Sequence, residues 1–182
     1  QSRPFWSAPL FVAGGDPAAV RAQLETSSTT LQAPTIDLVM VLAYGQPADV
    51  LANLAVAREM KQQGRVRYIG VTDLLPPPYV NAPVGPKLES LMRNEPLDFV
   101  GFDYCVGDRR AEQSLLPLAQ ERKIGVLAYF TFDRGRIFRR AGATPLPEWA
   151  AECDAKNWPQ FFLKYVVSHP AVTVARTGTT NP

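Results

Sequence analysis

The sequence predicts an α/β fold, a TIM-barrel-like (β/α) arrangement built as an incomplete barrel of about six parallel strands. Three observations predict it. Short, continuously apolar, β-branched-rich runs alternate with longer segments of helical periodicity, the pattern of parallel strands covered by helices on both faces. The 17 prolines fall mostly between those segments and so punctuate them. The turn after the first strand, Gly14-Gly15-Asp16, lacks the G-x-G-x-x-G spacing of a doubly wound dinucleotide fold, which favours a barrel over an open doubly wound sheet. A closed barrel needs eight strands and typically about 250 residues. Six strand signals in 182 residues fall short of that, and the chain is read as one domain over residues 1–182.

The elements follow in order. Phe5 to Val12 is short, aromatic and closed by glycines, hence a buried strand. Asp16-Pro17 then opens a helix running to about Leu31, with a carboxylate to cap orphan N–H groups and a ring whose fixed φ suits the first turn. Ile36 to Leu42 is too short for an ordinary helix and reads as a strand. From Pro47 to Gln63 the residues Val50, Leu54, Val56, Ala57 and Met60 recur at helical spacing, and Gly64 stands where a left-handed cap belongs. A strand over Val66–Thr72, a helix over Gly85–Asn94 and a strand over Asp98–Tyr104 follow. A helix over Arg109–Lys123 is predicted to kink at Pro117, with Asp108 as its cap. After a strand over Ile124–Phe130 come two helical pieces, Pro147–Ala155 and Trp158–Ser168, the second capped by Asn157, and a last strand over Ala171–Arg176.

Composition narrows the function classes. With 46% hydrophobic and 20% charged residues the chain buries a real core. Nineteen Lys plus Arg against 17 Asp plus Glu give a net charge of +2, which supplies no broad basic field for nucleic acid. Cys105 and Cys153 show no C-x-x-C spacing, so they read as reduced thiols rather than a disulfide or a metal site. No apolar run reaches the roughly 18 residues that span a bilayer, and no signal-peptide layout is present, so a soluble, cytoplasmic chain is expected. Because the sequence begins at Gln1, an upstream processed segment stays open.

Several stretches carry a family resemblance: Ile36-Asp37-Leu38-Val39-Met40-Val41, Gly64-Arg65-Val66-Arg67-Tyr68-Ile69-Gly70-Val71-Thr72, Leu115-Leu116-Pro117-Leu118-Ala119, Ile124 to Tyr129, and Pro170-Ala171-Val172-Thr173-Val174 through Gly178-Thr179. In sequence and order they resemble the aldo/keto reductase family, from about Gln23 onward. The resemblance implies a (β/α)₈ barrel that reduces carbonyls with NADPH through a Tyr proton donor assisted by Asp, Lys and His. It places the Asp and Tyr before Gln1, the Lys at Pro9 and the His at Leu42, so the catalytic groups are expected to be missing and hydride transfer lost. His169, the only histidine, precedes a strand and reads as structural. On the cofactor side the resemblance implies a nicotinamide stacked on Tyr129, with Thr72 and Asp73 in place of Ser-Asn, Gly101 in place of a Gln, and Arg176, Gly178 and Thr179 in the phosphate loop. The sequence ends at Pro182, before the helix whose N-terminus would hold the adenosine phosphate, so NADP is expected to bind weakly or not at all and no cofactor is the expectation.

The remaining chemistry lies at the C-terminal ends of strands, the functional face of parallel barrels. There stand Tyr44, Asp73, Asp103, Tyr104, Cys105, Asp108, Tyr129, Asp133, Arg134 and Arg176. Asp73 and Asp103, with Tyr44 and Tyr104, form a candidate catalytic set: two close carboxylates split their pKa values into an acid and a base, and aromatic rings stack on sugars, which suits glycoside hydrolysis on a saccharide or other small molecule. The plainer readings are a loop cap for Asp73, a strand-end hydrogen bond for Asp103, a helix cap for Asp108, and an exposed turn or an anion loop for residues 133–136. Asp37 reads as a buried structural carboxylate, Cys105 as a buried thiol, and Trp6, Trp149 and Trp158 as core or interface anchors. A non-catalytic binding module remains a third class. The first and last strands would be open edges, so a homo-oligomer formed through them is expected.

Overall fold

The computed structural model describes residues 4–10, 12, 15–44, 46–73 and 86–177, except the side chains of residues 86 and 87. Six parallel strands alternate with helices, each strand next to its predecessor in sequence: β1 Ser7–Leu10, β2 Ile36–Leu42, β3 Val66–Thr72, β4 Phe99–Asp103, β5 Gly125–Tyr129 and β6 Val172–Ala175. The helices are α1 Pro17–Thr30, α2 Pro47–Gln62, α3 Pro86–Asn94, α4 Leu115–Arg122, α5 Arg136–Ala141 and α6 Trp158–Ser168. By contacts the chain divides into two compact units, Gln1–Gly101 and Phe102–Pro182, with β4 running across the boundary.

In the N-terminal unit β2 and β3 are buried along most of their length, because α1 and α2 cover the sheet. Leu10, Leu24, Leu38, Leu54 and Ile69 fill this core. Burying each such side chain contributes about 1.5–3 kcal/mol. Gly70 is required by closeness: a Cβ there would lie 2.5 Å from the Met40 sulfur and 2.8 Å from the Phe99 carbonyl oxygen, its neighbours on β2 and β4. Asp16 caps α1 by accepting the Ala18 N–H at 3.0 Å, and Gly64 follows α2 at φ +73°. Asp37 sits 1% exposed inside β2, where it accepts the Trp6 N–H at 3.0 Å and pairs with Arg67 at 3.8 Å. Its cationic partner is borne by the neighbouring strand β3. Among the described residues β1 pairs with one neighbour, β2, and such a position tolerates Pro9.

The C-terminal unit departs more from its sequence signals. The segment 109–123 is not one kinked helix. A 3₁₀ turn, Arg110–Gln113, gives way at Ser114 (φ −143°, ψ −53°) to α4, which starts at Leu115. Pro117 explains the break: its ring excludes helical backbone at the carbonyl four residues back, whereas in the first turn of α4 its missing N–H costs nothing. The piece near Pro147–Ala155 is a 3₁₀ helix, Glu148–Cys153, and α6 is capped by Asn157, which accepts the Gln160 N–H at 3.0 Å. The turn Asp133–Gly135 and α5 replace the exposed turn read at residues 133–136, and Asp133 is buried. Trp149 is 57% exposed, its ring edge-on to Phe161 at 5.4 Å, while Trp158 stacks on Phe162 at 5.2 Å. No helix of the described residues is long and apolar enough to cross a membrane.

Candidate functional site

In the N-terminal unit the strand ends are mostly apolar. Pro9 is the third residue of β1 and faces Met40 in register, and Leu42 is the last residue of β2. Neither side chain carries a titratable proton. Thr72, the last residue of β3, is buried, and its carbonyl accepts the Ala43 N–H at 2.7 Å. That bond ties the segment carrying Tyr44, 36% exposed, to the strand end that carries Asp73.

In the C-terminal unit the strand ends are charged. Asp103 closes β4 and meets Arg134 Nη1 at 3.0 Å, and the same guanidinium lies 3.5 Å from the centroid of the Phe130 ring. Burial raises the Asp103 carboxyl above its ordinary value, and Arg134 pulls it down without cancelling that cost. Asp133 accepts from Arg136 Nε at 3.0 Å. Asp108 is held by Arg110, which donates to it from Nη2 at 2.6 Å and from its backbone N–H at 3.3 Å, and these bonds lower its pKa; the N-cap position of the 3₁₀ turn itself is Arg109. A two-residue turn brings Asp108 back to Cys105, and a Cβ on Gly107 would lie 3.5 Å from both Arg140 Nη1 and Asp133 Oδ2. Cys105 is buried, and desolvation pushes its thiol up, away from the reactive thiolate.

The loop behind this cluster is bent into the left-handed region at Phe130 (φ 47°), Asp133 (φ 50°), Arg134 (φ 51°) and Gly135 (φ 81°). For a residue with a Cβ that conformation costs about 1–2 kcal/mol. The ion pairs of Asp103 with Arg134 and of Asp133 with Arg136 hold it in place.

Tyr104 lies one residue past β4 and is 1% exposed. Its hydroxyl donates to Glu112 Oε1 at 2.9 Å, and so does the hydroxyl of Tyr165 on α6. Arg109 grips the same carboxylate with Nε at 3.0 Å and Nη2 at 2.7 Å. Arg109 first, then the two phenols, hold the Glu112 carboxyl down to about 2, while burial pushes Tyr104 up. His169 Nδ1 accepts the Ala171 N–H at 3.2 Å, with its ring edge-on to Tyr104 at 5.8 Å. The Tyr104 hydroxyl is therefore held in a polar hub that ties the 3₁₀ turn to α6. Sequence reasoning missed this hub. The i, i+3 spacing of Arg109 and Glu112 was visible, but nothing local points to Tyr165, 53 residues further on.

Tyr129 closes β5, is 4% exposed, and has the Arg176 guanidinium 5.3 Å from its ring centroid. Of the residues expected around a cofactor, Gly178 and Thr179 lie outside the described residues. Among the described residues no group of three or more His, Cys, Asp or Glu could hold a metal ion.

The comparisons agree with this architecture. Residues 11–182 match the model of the aldo/keto reductase family. Among solved structures the chain is similar to aldo-keto reductase AKR11C1 from Bacillus halodurans, at 21% identity and a TM-score of 0.69, covering 96% of this chain and 61% of that one. It is similar to an aldo/keto reductase from Klebsiella pneumoniae in complex with NADP and acetate, at 16% identity and a TM-score of 0.75, covering 96% and 59%. The glycerol dehydrogenase AKR11B4 from Gluconobacter oxydans matches at 19% identity and a TM-score of 0.63, covering 91% and 56%. The chain thus spans about three fifths of the length of these proteins, at identities that speak for the fold alone. With its six parallel strands and a family match over nearly its whole length, the chain belongs to the aldo/keto reductase family.

Proposed function

We propose that this chain is an aldo/keto reductase-family scaffold that does not carry out hydride transfer and keeps a polar small-molecule mouth at the strand ends of its C-terminal unit. The observation that carries the reading is the pair Pro9 and Leu42. They stand on adjacent parallel strands at the positions where the resemblance expects a Lys and a His. In the family the resemblance points to, Lys and His assist a Tyr proton donor, and a pyrrolidine ring and an isobutyl chain can neither lower a neighbouring phenol's pKa nor relay a proton. The only histidine, His169, is spent on the Ala171 N–H at the end of α6. NADPH oxidation in the presence of a panel of aldehydes tests the reading. No turnover above the enzyme-free rate is expected, and measurable, saturable turnover overturns it.

NADP, which the Klebsiella pneumoniae protein holds in its complex, fits these residues poorly as they stand. Gly101 supplies no side-chain amide, and the Tyr129 ring is covered.

A second reading, a carboxylate hydrolase acting on a glycoside, has one observation in its favour. The Asp103 carboxyl is raised by burial, as a general acid requires. Asp73, at the end of β3, is the second carboxylate of that reading. Asp103→Asn and Asp73→Asn should each abolish turnover of an aryl glycoside if it holds, and a parent chain inert to such substrates removes it.

A further inference from the structure

We infer that Arg176 is a built-in cap on Tyr129: the chain's own guanidinium occupies the aromatic face on which a nicotinamide ring would have to stack. Backbone pairing sets this up. β6 runs parallel to β5, and one residue past its end the Arg176 N–H donates to the Ala128 carbonyl at 2.8 Å. Arg176 therefore stands beside the last residue of β5, and its guanidinium carbon lies 5.3 Å from the Tyr129 centroid. A planar cation in that place is held by the negative face of the ring. Tyr129 as a whole is 4% exposed and the guanidinium lies over its ring, so a flat ligand that stacks on that face must displace the guanidinium.

The charge sharpens the consequence. An oxidised nicotinamide ring is cationic and a reduced one is neutral. A guanidinium beside Tyr129 therefore opposes the oxidised ring twice, by occupying the face and by repulsion between like charges. The reduced ring meets only the first obstacle. This inference rests on family membership and is independent of whether the chain transfers hydride, because it is read from binding and not from turnover.

The test is isothermal titration of NADPH and of NADP⁺ into the purified chain and into Arg176→Ala and Arg176→Lys, with circular dichroism to confirm that each is folded. Arg176→Ala should bind NADPH about tenfold more tightly than the parent, with a larger gain for NADP⁺. Arg176→Lys keeps the charge but not the flat stack and should fall between. Should Arg176→Ala misfold, Arg176→Gln repeats the measurement with a neutral side chain of similar length. Equal or weaker binding by the neutral variant overturns the cap, since Arg176 is then a bystander or a phosphate ligand. Absence of binding to every variant overturns it as well, because the ring is then no stacking platform. Turnover by the parent would refute the loss of hydride transfer while leaving these binding ratios as a separate result.

Discussion

The two units use the same strand–helix repeat but differ in what their strands carry. In the N-terminal unit Pro9 and Leu42 occupy strand ends, and β2 and β3 are almost wholly buried. In the C-terminal unit the short strands β4 and β5 end in Asp103 and Tyr129, followed by a loop with three non-glycine residues in the left-handed region. Both units bury an apolar core and carry ion pairs, Lys61 with Asp98 in the first among them. In the second the pairs of Asp103 and Asp133 also hold left-handed backbone, and the Asp103 and Glu112 carboxyls are shifted from their ordinary values. Within one family fold, stability and chemical potential have been distributed unevenly along the chain.

The largest effect should come from emptying the apolar core. Leu54 on α2 is fully buried, and Leu54→Ala should cost about 2–5 kcal/mol through lost transfer energy and the cavity left behind. A denaturant titration reads it as a lower midpoint. A loss below about 1 kcal/mol would mean that the N-terminal unit is not held mainly by packing. Next comes Asp37→Leu, which removes the acceptor of the Trp6 N–H inside the same unit and should cost about 1–3 kcal/mol.

The C-terminal unit should show itself through pH instead. The Glu112 carboxyl lies at about 2 in the folded chain against 4.5 for the free group. Between those values the unfolded state binds more protons, so stability rises with pH through that window and is lost as pH falls through it. Asp103 has the opposite sign: its folded value is raised, so its contribution is present at low pH and is lost as pH rises through the folded value. Acid unfolding of Glu112→Gln should lose the part of the pH slope between 4.5 and about 2, whereas Asp103→Asn should leave that part intact. Identical acid profiles for the parent and Glu112→Gln would show that the phenol–carboxylate hub does not support this unit.

How legible each unit was follows from what holds it. Strands 36–42 and 66–72 coincide with the β-branched runs that announced them, and α1 and α2 begin at Pro17 and Pro47 as the proline signals required. There local pattern and tertiary burial agree. In the C-terminal unit the sequence placed Asp103, Tyr104 and Tyr129 near strand ends but could not state their partners. Arg134 reaches Asp103 across 31 positions of chain only because Asp133 and Arg134 take left-handed backbone, which neither residue type announces. Pro117 was read as a kink, yet its steric demand is met more cheaply by ending one helix and starting another. The fold was legible because burial follows periodicity, and the site was less so because its ion pairs depend on loop geometry.

The smallest effect separates the units by the way they end a helix. After α2 the chain turns at Gly64, φ +73°, with nothing within 4 Å of where a Cβ would stand. Gly64→Ala therefore adds no clash, only the left-handed penalty, and should cost about 1 kcal/mol. After α4 the same turn is made by Lys123 at φ 57°. Lys123→Gly relieves a comparable strain but adds freedom to the unfolded chain worth about 0.4–1 kcal/mol, so the two terms nearly cancel. Paired thermal melts should show a drop for the first substitution and a change within about 0.5 kcal/mol for the second. A clear stabilisation by Lys123→Gly would mean that strain after α4 exceeds the usual penalty, and that the C-terminal unit stores strain in its helix ends as well as in its loop.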